Sequence, residues 1–344
     1  MSLPKKIAAT VILLAVAGAA VWLLYRAEST VLTQEPDPEP VYWPLTGELA
    51  PDAASIDVRA VSVKIENSPA ARPQAGLANA DVVYETLSEG GIPRFNAIFH
   101  SSMSERVGPI RSARLSDVYL VPQYNALFAF SGANQTVRDR IFAAGIDELG
   151  MEGRPALYER DPARPAPHNV YARTTDLLAA AADNAYAIEG GPRSLLFGDV
   201  PGADQEGAGE APAVASIAVP FSGGNDVLWT WDVEADRWVR DVEGVPHADE
   251  GSGAPYAAAN VIVLFAEARE TDMRDAAGSA VLDIRLDSEG DAVVLRDGRR
   301  YDVGWRAFAD APPRFITAEG EPFPLAVGVT WIEVVPPGHG VVIE

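Results

Sequence analysis

The chain contains no cysteine, three lysines and four histidines among 344 residues. Without cysteine there is no disulfide framework, no thiolate metal site and no thiol nucleophile, and four scattered histidines predict neither a metal site nor a cofactor. Positive charge is also scarce: 27 Lys and Arg stand against 49 Asp and Glu, a formal net charge of −22. That balance excludes a nucleic-acid partner, because affinity for phosphate backbones needs a sustained basic surface. Any anion must instead be met by a local cluster of cations. The shortage of lysine singles out Lys64, since Lys5 and Lys6 flank an N-terminal apolar run and every other cation is one of twenty-four arginines. Lys64 is either a compact, titratable point charge of a kind guanidinium cannot supply, or a residue left by chance.

What is present is apolar content enough for real cores, 48% hydrophobic and 8% aromatic, in a chain long enough for two domains. From Ile7 to Tyr25 there is no charge, and the run has about the ~20 residues of a membrane-crossing helix. Lys5 and Lys6 before it predict a single-pass anchor with the N-terminus cytoplasmic and the body extracytoplasmic. The other reading is a cleaved signal peptide, with Ala17-Gly18-Ala19 as the small-residue site. The predicted layout is an anchor over 1–27, an extended Pro- and acid-rich linker over 28–42, an α/β domain over 43–200, a second linker over 201–212 and a β-rich domain over 213–344. The expected fold class is therefore α+β or α/β: a mixed-sheet α/β domain, then a smaller, mostly antiparallel β domain.

The densest polar stretch runs from Val61 to Arg114. Val61, Val63 and Ile65 alternate with Ser62, Lys64 and Glu66, as in a half-buried strand. Its end delivers Glu66 and Asn67 into a Pro-fixed loop carrying Arg72 and Gln74. Two more strands, Asp81 to Leu87 and Arg94 to Phe99, flank Gly90-Gly91, a pair that suits a tight turn or a cradle for a ligand. The run Gly108 to Arg114 leads into a helix near Leu115, with Ser112 as a candidate cap. Arg111 and Arg114 at that helix start oppose its dipole, which points to an anion between them or to partners among Glu66, Glu85 and Glu89. A strand over Asn125 to Ser131 precedes a helix over Thr136 to Ala144 whose apolar face is Val137, Ile141 and Phe142. His168, in the loop Pro165 to Tyr171, is either a proton donor or ligand contact, or a histidine bonded to local backbone.

Beyond the second linker the short strands predict antiparallel pairing. Trp229, Trp231, Trp238 and Trp305 read as core or as a sugar-stacking platform. His247 and Asp249 are close in sequence but lack a third partner.

Several of these elements, Ile65-Glu66-Asn67, Arg72-Pro73-Gln74, Tyr84-Glu85, Gly108-Pro109-Ile110-Arg111-Ser112-Ala113-Arg114, His168-Asn169 and Thr330-Trp331-Ile332 among them, resemble the YerB-like family of bacterial envelope lipoproteins, built on a domain of unknown function. The resemblance covers nearly the whole chain after the linker and implies a two-part body displayed outside the membrane. Members of that family commonly carry a lipid-modified cysteine, so the resemblance implies that here the apolar helix replaces the lipid. A fainter likeness joins Gly91 to Phe99, Ile110 to Tyr119 and Asn125 to Ile141 to the LytR-CpsA-Psr transferases. Those bind polyprenyl pyrophosphate through arginines and a divalent cation through acids, and here Asp81, Glu85 and Asp117 form no recognisable metal motif.

The expected site is thus Lys64, Glu66, Asn67, Arg72, Glu85, Arg94, Arg111, Arg114 and His168. The expected ligand is an anionic envelope polymer or lipid-linked precursor. Two alternatives stand beside it: a phosphotransferase or hydrolase acting on such a ligand, and an assembly scaffold in which the ions only hold loops together.

Overall fold

The computed structural model describes residues 3–31, 39–200, 211–222, 224–275 and 278–344, in two units, Met1–Pro40 and Val41–Glu344. The first is a helix, Leu3–Val31. Of its side chains those of 10–26 are described, and all are exposed. Among the described residues no helix is long and apolar enough to cross a membrane. The anchor expected over 1–27 therefore has no support from the described helix. The linker expected over 28–42 begins in helix, to Val31, and its residues 32–38, like 201–210 of the second linker, lie outside the described residues.

In the second unit the alternating segments do become strands, but their pairing crosses the expected domain boundary. Val61–Glu66 pairs antiparallel with Arg94–Phe99 and parallel with Leu127–Ala129, and Val82–Thr86 lies on the far side of Arg94–Phe99. Next comes Thr330–Val335, parallel both to Val82–Thr86 and to Asn260–Phe265. The sheet then continues through Glu289–Arg296, Arg299–Phe308, Ala311–Ile316 and Pro322–Phe323. Strands from 43–200 and from 213–344 thus form one ten-stranded mixed sheet rather than the separate sheets the sequence predicted. Thr330–Val335 is buried along its whole length, as a parallel strand covered on both faces must be.

Each face of this sheet carries a core. Against one lie the helix Thr174–Asp183, through Leu177 and Ala181, and a second, antiparallel sheet built on Ser216–Pro220, Asp226–Asp232 and Arg237–Val242. Trp229 and Trp238 fill that interface and Trp305 is buried in the other core, so these three rings are packing and not a sugar platform. Against the opposite face lie the helices Leu115–Leu120 and Gln135–Ala143 and the hairpin Ala268–Arg274 with Ala280–Ile284. Val137 and Ile141 point inward as expected, but Phe142 does not: it is 88% exposed, because a nine-residue helix offers the core a stripe too narrow for the residue next to Ile141.

Candidate functional site

Strand alternation sorts the polar residues by face. Val61, Val63 and Ile65 enter one core, so Ser62, Lys64 and Glu66 turn to the other face, beside Asn96 and Arg94 of the neighbouring strand. Lys64 does not reach solvent. Its Nζ lies 2.6 Å from Asp117 Oδ1, and both side chains are 1% exposed. Asn96 Nδ2 donates to the same oxygen at 3.1 Å. Burial pulls the Lys64 pKa down, and Asp117 opposes that pull. The ammonium is thus spent inside the protein, and its charge supports Asp117 rather than a guest.

Asp117 has a second task. Its Oδ2 accepts the Arg114 backbone N–H at 2.6 Å, closing the start of Leu115–Leu120 in place of the expected Ser112. At six residues, and with a carboxylate already at its N-terminus, that helix contributes no anion site of its own.

The arginines are placed by the extended run that precedes the helix. Arg111 N donates to Lys64 O at 2.9 Å, Ser131 N to Arg111 O at 3.0 Å, and Ala113 N to Gly132 O at 2.9 Å. The run is thereby pinned between the ends of two strands. The Ser112 carbonyl accepts from Arg94 Nη1 at 2.9 Å and from Arg114 Nη1 at 3.2 Å, which draws both guanidiniums to one point. Arg94, Arg111 and Arg114 line a single hollow of about 690 Å³, together with Arg274 and the acids Glu89, Glu152 and Asp275.

Charge in this hollow is incompletely balanced. Arg114 Nε is paired with the Glu89 carboxylate and with Ser88 Oγ. Arg111 Nε lies 3.2 Å from Glu66 Oε2, yet its N–H is not aimed there and has no hydrogen-bond acceptor. Arg94 makes no ion pair within 4.0 Å among the described residues, and its pKa is pressed down to about 9 by burial and then by Arg114 and Arg111. A guanidinium keeps its proton at neutral pH regardless; the direction reflects first its burial and then the two arginines beside it, with Glu89 and Glu66 acting the other way. An oxyanion in the hollow would meet three cations and relieve that imbalance.

His168 borders the same group, with Nδ1 2.9 Å from Glu66 Oε2, the oxygen nearest Arg111. Asn67, Arg72 and Glu85 are elsewhere, although the sequence grouped them with the arginines. Glu85 follows Tyr84 in its strand and so turns to the opposite face, where it is fully buried against Arg240. Asn67 Nδ2 donates to Glu85 Oε1 at 2.6 Å. Arg72 Nη2 reaches Asn67 O at 2.9 Å and Asn225 Oδ1 at 2.5 Å. Glu333, directly across from Glu85, accepts from Trp229 Nε1 at 2.8 Å, and burial together with Glu85 holds its pKa well above the carboxylate range. This set ties the second sheet to the first.

His247 belongs to it as well, between Arg240 Nη1 and Gln74 Oε1 and kept neutral by burial and the adjacent arginines. Asp249 instead accepts the Gly76 N–H at 2.7 Å. Arg240 and Glu333 were missed as members. The signal for Arg240 was the alternation of Trp238 and Arg240 on one side of their strand, which puts a cation inside. Asp81, Glu85 and Asp117, the acids of the transferase likeness, are held in three separate hydrogen-bond sets.

With this geometry in view, the comparisons with known proteins become specific. The models described as "Protein of unknown function (DUF3048)", N-terminal and C-terminal domains, match residues 45–187 and 217–332. The chain belongs to the DUF3048 family. Among relatives of this DUF3048 protein, "Putative lipoprotein YerB" of Bacillus subtilis (strain 168) is 31% identical over 295 residues, covering 85% of this chain and 86% of that one. A crystal structure of the YerB protein from Bacillus subtilis superposes with a TM-score of 0.77 at 28% identity, covering 88% of this chain and 99% of that one. The arginine hollow of the DUF3048 protein is built from the N-terminal family segment, with Arg274, Asp275 and Val281 added from the C-terminal one.

Proposed function

We propose that this DUF3048 protein is held at the membrane with its body outside the cytoplasm, where the hollow of Arg94, Arg111 and Arg114 binds an anionic envelope ligand, a phosphorylated polymer or a lipid-linked precursor. The observation that carries this reading is the gathering of four arginines, Arg94, Arg111, Arg114 and Arg274, around one concavity against the three acids Glu89, Glu152 and Asp275, a local surplus of one positive charge in a protein whose net charge is −22. Such a surplus is unfavourable unless an anion joins it, since clustered cations repel at close range. The uncharged run Ile7 to Tyr25 supports the anchor, and the relative described as a putative lipoprotein supports the envelope setting. In this reading Lys64, Glu66 and His168 position the arginines, through Asp117, Arg111 and Glu66 respectively.

The test is retention of the full chain on fractionated anionic envelope polymers and on inorganic pyrophosphate, with Arg94→Ala and Arg111→Ala as variants. Each charged hydrogen-bonding group contributes about 1.5 to 3 kcal/mol, so each variant is expected to bind roughly ten- to a hundredfold more weakly, and wild-type affinity should fall with added salt. Equal retention of all three proteins removes the anion reading.

A further inference from the structure

A second hollow, of about 570 Å³, opens beside the first and is lined by Phe130, Ile141, Phe142, Gly150, Glu152 and Gly153, among others. Glu152 lines both hollows, and the helix Gln135–Ala143 borders both, with Asn134 and Val137 on the arginine side and Ile141 and Phe142 on the other. Arg138 Nη2 and Glu152 Oε1, a half-exposed pair 3.6 Å apart, join a residue of the second hollow to the residue shared by both. The two hollows differ in chemistry. One gathers four arginines and three acids; the other sets Phe130, Ile141 and Phe142, the last 88% exposed, beside Arg138 and three acids.

We infer that the two hollows are one site for a phosphate-headed amphiphile, its head among Arg94, Arg111 and Arg114 and its uncharged chain along Ile141 and Phe142. The inference rests on the anion reading above and narrows it to one of that reading's two ligand classes. Charge decides between them. The trough's charged residues are Arg138, Asp139, Glu148 and Glu152, one cation against three acids, so a polymer bearing a second phosphate would meet net negative charge there, whereas an uncharged chain carries nothing for those acids to repel. A bound chain would also cover Phe142, an aromatic ring that gains by leaving water.

The experiment titrates methyl, butyl, hexyl and octyl phosphate calorimetrically into the full chain held in phosphatidylcholine nanodiscs, with empty discs as the blank. Burial of a methylene predicts a gain of about two- to fourfold in affinity per added carbon until the trough is filled. Phe142→Ser, a change at an exposed position, is expected to flatten that slope, and Arg111→Ala to weaken the whole series, with Arg111→Lys restoring part of it. Equal affinity from methyl to octyl overturns the inference and leaves the anion reading standing. A slope that survives Phe142→Ser, or octyl phosphate binding untouched by Arg111→Ala, also overturns it, because the ligand would then lie elsewhere. Failure of all four phosphates to bind removes both readings together.

Discussion

At the scale of single residues, the most informative side chain is Lys64, because its rarity in the sequence and its place in the structure give different answers. Rarity suggested a point charge available to a ligand. Full burial against Asp117 makes it a structural cation instead, one that lets a carboxylate stand in the core and close the helix start that follows the arginines. Removing one partner of a buried pair strands the other charge, at a cost of about 3 to 5 kcal/mol. Lys64→Met is therefore expected to destabilise the body by that amount in urea unfolding, and to weaken anion binding only by loosening Arg114. An unfolding midpoint unchanged from wild type would show that Asp117 does not need the ammonium. The three arginines were legible as a group, because Arg94 opens a core strand and Arg111 and Arg114 lie in the run that leads into the next helix. Which of the neighbouring polar residues join them was not: Glu85 lies one position past the residue that would have faced the hollow.

At the scale of elements, what matters is how strand ends are held. Asp81, just before Val82–Thr86, accepts the His100 and Ser101 backbone N–H groups at 2.6 and 2.8 Å, at the end of the adjacent Arg94–Phe99 strand. His100 Nε2 in turn meets Val58 O at 2.8 Å, before the third strand. Burial raises Asp81 from its ordinary 3.8 to about 6 and lowers His100 from 6.5 to about 4. These shifts act in opposite directions. Below pH 6.5 the unfolded chain protonates His100 and the folded one does not, so stability is lost as pH falls towards 4. Between pH 6 and 3.8 the folded chain keeps a proton on Asp81 that the unfolded one has released, so stability is gained over the same fall. The wild type should show little net contribution from the pair. Asp81→Asn should lose, between pH 7 and pH 4, roughly 2 to 3 kcal/mol more than wild type, the size of the Asp81 shift of about 2 pK units that the variant no longer has. Urea midpoints at the two pH values measure this, and parallel profiles would contradict it. The elements themselves were largely legible from period-two alternation and turn residues. The outward turn of Phe142 was not, since helical spacing says which residues share a stripe and not how wide a stripe the neighbours will cover.

At the scale of the whole molecule, the decisive strand is Thr330–Val335. It enters the sheet between Val82–Thr86 and Asn260–Phe265, so the two family segments complete each other. Glu85 from the first segment likewise depends on Arg240 from the second. The segment 45–187 made alone would bare the edge of Val82–Thr86 and strand the Glu85 carboxylate, both strongly unfavourable. It is expected to show no cooperative urea transition by circular dichroism, whereas the full chain shows one for the body. A sharp transition in the isolated segment would mean that the first four strands are a domain in their own right.

The amino-acid sequence by itself determined the absence of thiol chemistry, the positions of most strands and helices, and the crowding of arginine between Val61 and Arg114. Those are properties of composition and of local period, which need no knowledge of what a segment packs against. Only the tertiary structure decided that the C-terminal strand sits inside the N-terminal sheet, that Lys64 is consumed by Asp117, and that Glu85 and Arg72 belong to the opposite face from the hollow. Each of those depends on which distant surface buries a given face, and alternation along one strand is the same whichever side the partner takes.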